Sequence, residues 1–328
     1  MSGGPSLKPH NRAEEISGEW EHDNQQWWNQ YMASADNEIA VAPGPSVEEP
    51  SVLAHTGPLP TPADLQAELS ASYQLDPLAI TQFNRDGYVK LKQVLSAGAL
   101  ALLRQETEAI LLAELGDNPQ LDFRSGEMMW LTNEIFRQFV LSPRIAEIAA
   151  ALMGVERVRL YHDNALAKEP GCGRTPWHYD AEHFPIASKH VCTAWIPLQA
   201  IPRNMGPLAF AVGMDTYRLV EAVESSRFDT SYDRSVSNIF AAQGVTIDDG
   251  PFALGEISFH HSQSFHTAGP NNTTESRMVL ATTYFEDGAC VVPAPTMISG
   301  DWRKFMPGVD AGQTIQSRYN PVCFPSER

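Results

Sequence analysis

The chain has 328 residues, 43% of them hydrophobic, and carries a formal net charge of −17 from 23 Lys+Arg against 40 Asp+Glu. That length and apolar fraction suit one large barrel or sandwich with attached helices, while no apolar run approaches the ~18 residues of a membrane span and the acidic surface repels polyanions, which argues against nucleic acid as a partner. Cys172, Cys192, Cys290 and Cys323 lie far apart without a C-x-x-C pair, so a zinc ribbon or thioredoxin-like motif is unsupported and separate reduced thiols are expected. The N-terminus lacks the apolar region of a secretory signal, and a soluble cytoplasmic protein is the expectation.

Residues 1–70 read as an acidic, proline-rich extension, with eleven acids, two bases and eight prolines. The run Gly57-Pro58-Leu59-Pro60-Thr61-Pro62 cannot sustain a helix or a central strand. Within this extension Trp20, Trp27 and Tyr31 fall at roughly helical spacing, beside Trp28, so one short amphipathic helix would present them together. Such an aromatic cluster argues for docking: on its own subunit, over an active-site mouth, or on a neighbour, the last making a homodimer worth testing.

Residues 71–328 read as the folded domain. Leu78 to Asp86 and Ala97 to Leu115 are expected helices, the second rich in good helix formers, with a short strand from Gly87 to Leu91 between them. Ser142-Pro143 opens another helix as N-cap and first helical residue, and Gly154 ends it. From there strands dominate: Val158 to Ala167, Val191 to Leu198, Leu208 to Val212, Gly255 to His261 and Met278 to Phe285, separated by Gly, Pro and Asn turn signals. Helices followed by a run of strands predict an α+β, mainly β chain centred on an antiparallel sandwich or barrel.

Two segments carry chemistry. In Trp177-His178-Tyr179-Asp180 the alternation of a strand sends His178 and Asp180 to one face, where they can share an ion. Alone this is weak, since ten His and seventeen Asp give about half an H-x-D pair by chance. The segment GEISFHHSQSFHTAGPNNTTESR adds a distal histidine, His266, at a turn, and Arg277 eleven residues later at the start of the next strand. Two histidines and one carboxylate on one octahedral face form the facial triad of non-haem Fe(II) oxygenases. The open positions suit 2-oxoglutarate and O2, and a guanidinium fork suits the far carboxylate.

Taken together with FNRDGYVKLKQVLS, ALAKEPG, TPWHYDAEHFP and TAWIPLQAIPRNMGPLAF, these features resemble the phytanoyl-CoA dioxygenase family of Fe(II)- and 2-oxoglutarate-dependent oxygenases over roughly residues 80–290. The resemblance implies a double-stranded β-helix, a cupin-like jelly roll with flanking helices. It implies that His178, Asp180 and His266 ligate iron, that Arg277 holds the distal carboxylate of 2-oxoglutarate, and that Asn164, Thr193 and Trp195 line the cosubstrate pocket. It further implies oxidation of a C–H bond of a small metabolite or natural product, with 2-oxoglutarate and O2 consumed and succinate and CO2 released. Hydroxylation is the leading outcome; desaturation, epoxidation and ring rearrangement are open to the same site. His183, Phe184 and Tyr179, next to the metal motif, are the candidates for substrate contact.

The chain departs from the family pattern at Tyr179, where many relatives have Gln, at Val212-Gly213-Met214-Asp215, where they have Gly-Ser-His, and at Ala268, where some place a hydroxyl near the cosubstrate. Substrate is therefore not carried over. Asp180 speaks against halogenation, because related halogenases lack that carboxylate. His260 and His261 point to opposite faces with no carboxylate at useful spacing and read as structural; His162 and His190 read as loop or supporting residues. The alternatives are a cupin-like metalloenzyme that does not use 2-oxoglutarate, which Arg277 opposes, and a catalytically inactive binding relative, which the intact triad opposes.

Overall fold

The computed structural model describes residues 24–39, 48–50, 55–116, 122–226, 228–295 and 299–325. Trp20 lies outside them. The helices are α1 (Asn24–Ala33), α2 (Pro62–Ser70), α3 (Pro77–Asp86), α4 (Ala97–Leu115), α5 (Glu134–Val140), α6 (Pro143–Met153), the single turn α7 (Tyr217–Val220) and α8 (Ser231–Gln243). The strands are β1 (Tyr88–Leu91), β2 (Phe123–Glu127), β3 (Val158–Lys168), β4 (Thr175–His178), β5 (Ile186–Ala187), β6 (Val191–Pro197), β7 (Leu208–Ala211), β8 (Ile247–Asp248), β9 (Ile257–His261), β10 (His266–Ala268), β11 (Arg277–Glu286), β12 (Cys290–Val291) and β13 (Val322–Phe324).

Local chemistry sets the helix ends. Ser142 caps α6 through the amide of Ile145, Pro143 takes the first turn, and Gly154 closes the helix in the left-handed region. Asp76 and Pro77 start α3 in the same way. The proline run before residue 62 ends where a helix begins: Thr61 caps α2 and Pro62 is its first residue, a position that needs no amide hydrogen. Leu65 and Leu69 of α2 are fully buried in the main core. The folded body thus reaches back into the expected extension, because a proline at the first helical turn starts a helix instead of preventing one.

The large sheet runs β1-β9-β6-β11-β3-β13, with β2 also paired to β3, and a second sheet runs β4-β10-β7-β8. All of these pairings are antiparallel. This is the double-stranded β-helix: two facing sheets with α2 to α6 packed on the outer face of the larger one. Leu100, Leu103, Phe136, Phe139, Ile145 and Leu152 meet Ala165, Ala194, Phe259 and Leu280 in that outer core. The inner face is different. Directly paired residues share a face, and the register His260↔Thr193↔Thr283↔His162 lays four polar side chains in one row across β9, β6, β11 and β3.

Helix α1 docks on the body at both ends. Near its start the side-chain amide of Gln25 donates to the Phe123 carbonyl at 2.6 Å and its oxygen accepts from the Ser125 amide at 3.3 Å. Beyond its end, the Asp36 amide donates to Asp233 Oδ2 at 2.8 Å, and Arg174 Nη1 donates both to Asp233 Oδ2 at 2.7 Å and to the Asp36 carbonyl at 2.8 Å. Asp233 also accepts from the Trp177 amide at 2.8 Å, which ties α1, α8 and β4 together. Among the described residues no helix is long and apolar enough to cross a membrane, and all four cysteines are free thiols.

Candidate active site

His178 ends β4, Tyr179 continues extended, and Asp180 begins a 3-10 turn, so the expected alternation holds across the strand end. β10 pairs with β4 so that His266 faces His178. Ligand atoms of His178, Asp180 and His266 all lie within 4.8 Å of one another. His178 Nδ1 lies 2.9 Å from the Pro176 carbonyl and His266 Nδ1 lies 2.9 Å from the Ser264 carbonyl. A carbonyl only accepts, so both Nδ1 atoms carry the proton, and each Nε2 keeps its lone pair for a metal. Burial, with the neighbouring imidazoles, pushes the His178 and His266 pKa values down to about 3 and about 4, which keeps both rings neutral donors. Burial opposes ionisation of Asp180, but the hydrogen bond from His260 opposes it in turn, and the carboxyl stays well below its usual range.

Asp180 is held from two sides. Thr193 Oγ1 donates to its Oδ2 at 2.8 Å and His260 Nε2 lies 3.2 Å from the same oxygen. The expectation that His260 lacks a carboxylate partner is thereby corrected: sequence distance hid a contact made where the turn carrying Asp180 is bonded to the end of β9, the Ala181 amide donating to the Ser262 carbonyl at 2.8 Å. Thr193 in turn sits 3.0 Å from Thr283 Oγ1.

On the same inner face, the fully buried Arg277 donates from Nη1 to the Gly206 carbonyl at 2.8 Å and lies 5.4 Å over the Trp195 ring. Its Nε has no protein partner, and among the described residues no carboxylate is bridged to it. Burial lowers its pKa to about 10, still charged at neutral pH. Lys168, opposite Arg277 in the β3–β11 register, is also fully buried and donates to neutral groups, the carbonyls of Gly173 and Gly269 and the Thr175 hydroxyl. A buried cation with no counter-charge is costly, and a dianionic ligand would supply one. Gly206 has φ +75, and any side chain there would collide with the Gly269 carbonyl, which explains the Gly of the Asn-x-Gly-Pro-Leu block. The residues present thus fit both an iron ion and 2-oxoglutarate.

One open-mouthed cavity, about 1170 Å³ with the solvent space at its mouth included, joins these groups. It is lined by the triad and by Arg277, Asn164, Thr193 and Trp195 at the inner end, and by His183 and Phe184 further out. Asn164 also accepts a 2.7 Å hydrogen bond from Ser125. Tyr179 is elsewhere: its ring packs on Phe265 with a centroid distance of 4.9 Å and does not line the cavity. That expectation is corrected by the same alternation that unites His178 and Asp180, since it turns the residue between them away. His261 and His190 lie outside the cavity as well. His162 lines it, with burial pushing its pKa down to about 4.

The outer cavity is largely built by residues the metal motif does not announce. Trp27, Trp28 and Tyr31 of α1 line it, with the Trp27 and Tyr31 rings 5.5–5.8 Å from His183 and Tyr31 5.6 Å from His178. Of the three dockings open to this aromatic segment, α1 adopts the one over its own subunit's site. Phe305, Lys304 and Asp301 join from the C-terminal region, and Glu127 from β2.

The chain matches the phytanoyl-CoA dioxygenase family over residues 83–279. It is 23% identical over 223 residues to a probable alpha-ketoglutarate-dependent hypophosphite dioxygenase of Stutzerimonas stutzeri, covering 60% of this chain and 74% of that one. It is 26% identical over 215 residues to a methylphosphonate hydroxylase of Gimesia maris, covering 62% and 78%. Among solved structures it resembles the non-haem alpha-ketoglutarate-dependent epimerase SnoN of nogalamycin biosynthesis, with 25% identity, TM-score 0.60, and 76% of this chain and 100% of that one covered. SnoN is also known in complex with Fe3+, alpha-ketoglutarate and nogalamycin RO. The carbocyclase SnoK shares the fold at 21% identity and TM-score 0.62, covering 77% and 99%. With a family match over 60% of its length and a His/Asp/His face beside a buried guanidinium, the chain belongs to the phytanoyl-CoA dioxygenase family and is a non-haem iron- and 2-oxoglutarate-dependent oxygenase.

Proposed function

We propose that His178, Asp180 and His266 hold the iron, that Arg277 receives the distal carboxylate of 2-oxoglutarate, and that the enzyme oxidises a C–H bond of a small metabolite bound in the outer cavity of a cytoplasmic protein. The carrying observation is one cavity lined both by the His178/Asp180/His266 cluster and by Arg277, a buried guanidinium bridged to no carboxylate among the described residues. When bound, iron and 2-oxoglutarate supply the oxidising power, with succinate and CO2 as co-products.

The chain's own groups do the rest. The Pro176 and Ser264 carbonyls fix which imidazole nitrogen is free to ligate. Thr193 and His260 fix the orientation of the Asp180 carboxylate, so that one oxygen is occupied and Oδ1 is turned toward His266 at 3.7 Å. Trp195 supports the Arg277 plane from below, and Asn164 and Thr193 border the space between guanidinium and triad. His183 and Phe184 border the substrate side. The aromatic roof of α1 excludes water from the chemistry. Trp27 and Tyr31 pack within their own subunit, against each other and against His183.

The test is spectroscopic. Anaerobic protein given Fe(II) and 2-oxoglutarate is expected to show the weak visible metal-to-ligand charge-transfer band of the chelate, lost in His178→Ala and weakened in Arg277→Ala. Bound iron without a band would overturn 2-oxoglutarate binding and favour a metalloenzyme that does without it.

A further inference from the structure

The family match spans residues 83–279, and every group assigned above to iron or cosubstrate lies inside it. Much of the outer cavity's aromatic lining lies outside it. Trp27 and Tyr31 come from α1, stacked at 5.0 Å and 17°. Phe305 comes from the C-terminal region and closes a second aromatic group with His162 at 4.6 Å and Tyr161 at 5.4 Å, to which Phe184 adds its ring at 5.0 Å from Tyr161. Gly300 borders Trp27 itself, so the two flanking segments meet at the cavity.

Charge narrows the ligand further. Among the described residues, Arg277 and Lys304 are the only lysine or arginine side chains lining the cavity. Arg277 is already assigned to the cosubstrate, and Lys304 Nζ is bonded to Glu127 Oε2 at 2.6 Å. Asp301 adds a further negative charge beside that pair. Away from the metal, a phosphorus oxyanion would therefore meet a wall whose one cation is paired with Glu127 and which carries Asp301 as a further negative charge. Aromatic faces, by contrast, stack on any flat ring at offset or edge-on geometry.

We propose that the outer chamber, walled by Trp27 and Tyr31 on one side chain group and by Phe184 and Phe305 on another, binds a ring-bearing, predominantly apolar substrate that carries no phosphonate-type anion, and that the two segments flanking the family core are its specificity elements. This rests on the reading of the inner site as the iron and 2-oxoglutarate centre. It separates the chain from the two relatives named for hypophosphite and methylphosphonate, both small phosphorus oxyanions.

Titration calorimetry on the full chain loaded with 2-oxoglutarate and a redox-inert divalent metal tests it, with 2-naphthol as the planar probe and methylphosphonate as the oxyanion. Binding of 2-naphthol is expected, weakened about tenfold or more in Trp27→Ala and in Phe305→Ala, one contact in each flanking segment; methylphosphonate is expected to give no binding heat. Trp27→Phe, which keeps a ring, is expected to recover most of the affinity and guards against misfolding of the alanine variants. Methylphosphonate binding in preference to 2-naphthol, or 2-naphthol binding indifferent to both alanine substitutions, overturns the inference. The Fe(II) and 2-oxoglutarate band of the unaltered protein is read alongside: a band without 2-naphthol binding sinks the substrate class alone, and no band sinks the reading beneath it.

Discussion

The two ends of the cavity are built in different ways. At the inner end, His178 and His266 project from the paired strands β4 and β10, Asp180 from the turn after β4 and Arg277 from the start of β11 in the facing sheet, and their partners are backbone carbonyls and strand residues fixed by register. At the outer end, Trp27, Tyr31 and Phe305 sit on a helix and a C-terminal segment that reach the cavity from far along the chain. A sheet scaffold holds reacting groups to a fraction of an ångström, whereas attached segments can be exchanged without disturbing it. The contrast explains how one chemistry is paired with a chamber of the chain's own making.

The joint between the two ends is the place to strain this contrast. Arg174 is buried and pairs with Asp233, which also anchors Asp36 beyond α1 and the Trp177 amide of the metal-bearing strand. Arg174→Met strands the Asp233 carboxylate, and a loss of about 3–5 kcal/mol in unfolding free energy is expected, measured by urea denaturation. A loss below ~1 kcal/mol would mean that the flank is only loosely joined to the core.

A second test concerns the sheet that both ends share. Asp163 points from β3 into the helix-covered side, where burial pushes its pKa up to about 7 while its Oδ2 accepts from the Met129 amide. Because the folded protein binds this proton more tightly than the unfolded chain, the unfolded state holds fewer protons between about pH 4 and pH 7. Stability should therefore fall as pH rises through that window, by up to a few kcal/mol. Asp163→Asn should flatten that part of the profile, and an unchanged slope would remove Asp163 as its source.

Thr193→Val gives the smallest effect and the most local. It deletes one of the two groups that orient Asp180 while keeping the side chain's shape, so iron affinity is expected to drop about 10–100-fold. Binding of 2-naphthol to protein kept saturated with metal should change little. Equal losses at both ends would show that the two are not separable.

The inner end was legible in the sequence because its groups obey short-range rules: the H-x-D alternation, a distal histidine and an arginine at a fixed interval. The cap at Ser142 and strands β1, β3, β6, β7, β9 and β11 were legible for the same reason. The hold of His260 on Asp180 was not, since eighty residues separate them and only strand order brings them together. Tyr179 was misplaced because adjacency in sequence was given more weight than alternation. The aromatic helix announced that it would dock but not where, and nothing near Phe305, Lys304 or Glu127 hinted that they would meet at one cavity. Such contacts depend on tertiary arrangement, which local pattern does not encode.

Gln25 carries a consequence of another kind. Among the described strands, β2 pairs only with β3, so its other side is an edge, and the Gln25 amide occupies the Phe123 carbonyl and the Ser125 amide there much as a neighbouring strand would. Unpaired strand edges recruit other chains. A shortened chain lacking α1 would thus expose a template for strand addition, and its first symptom should be self-association in solution.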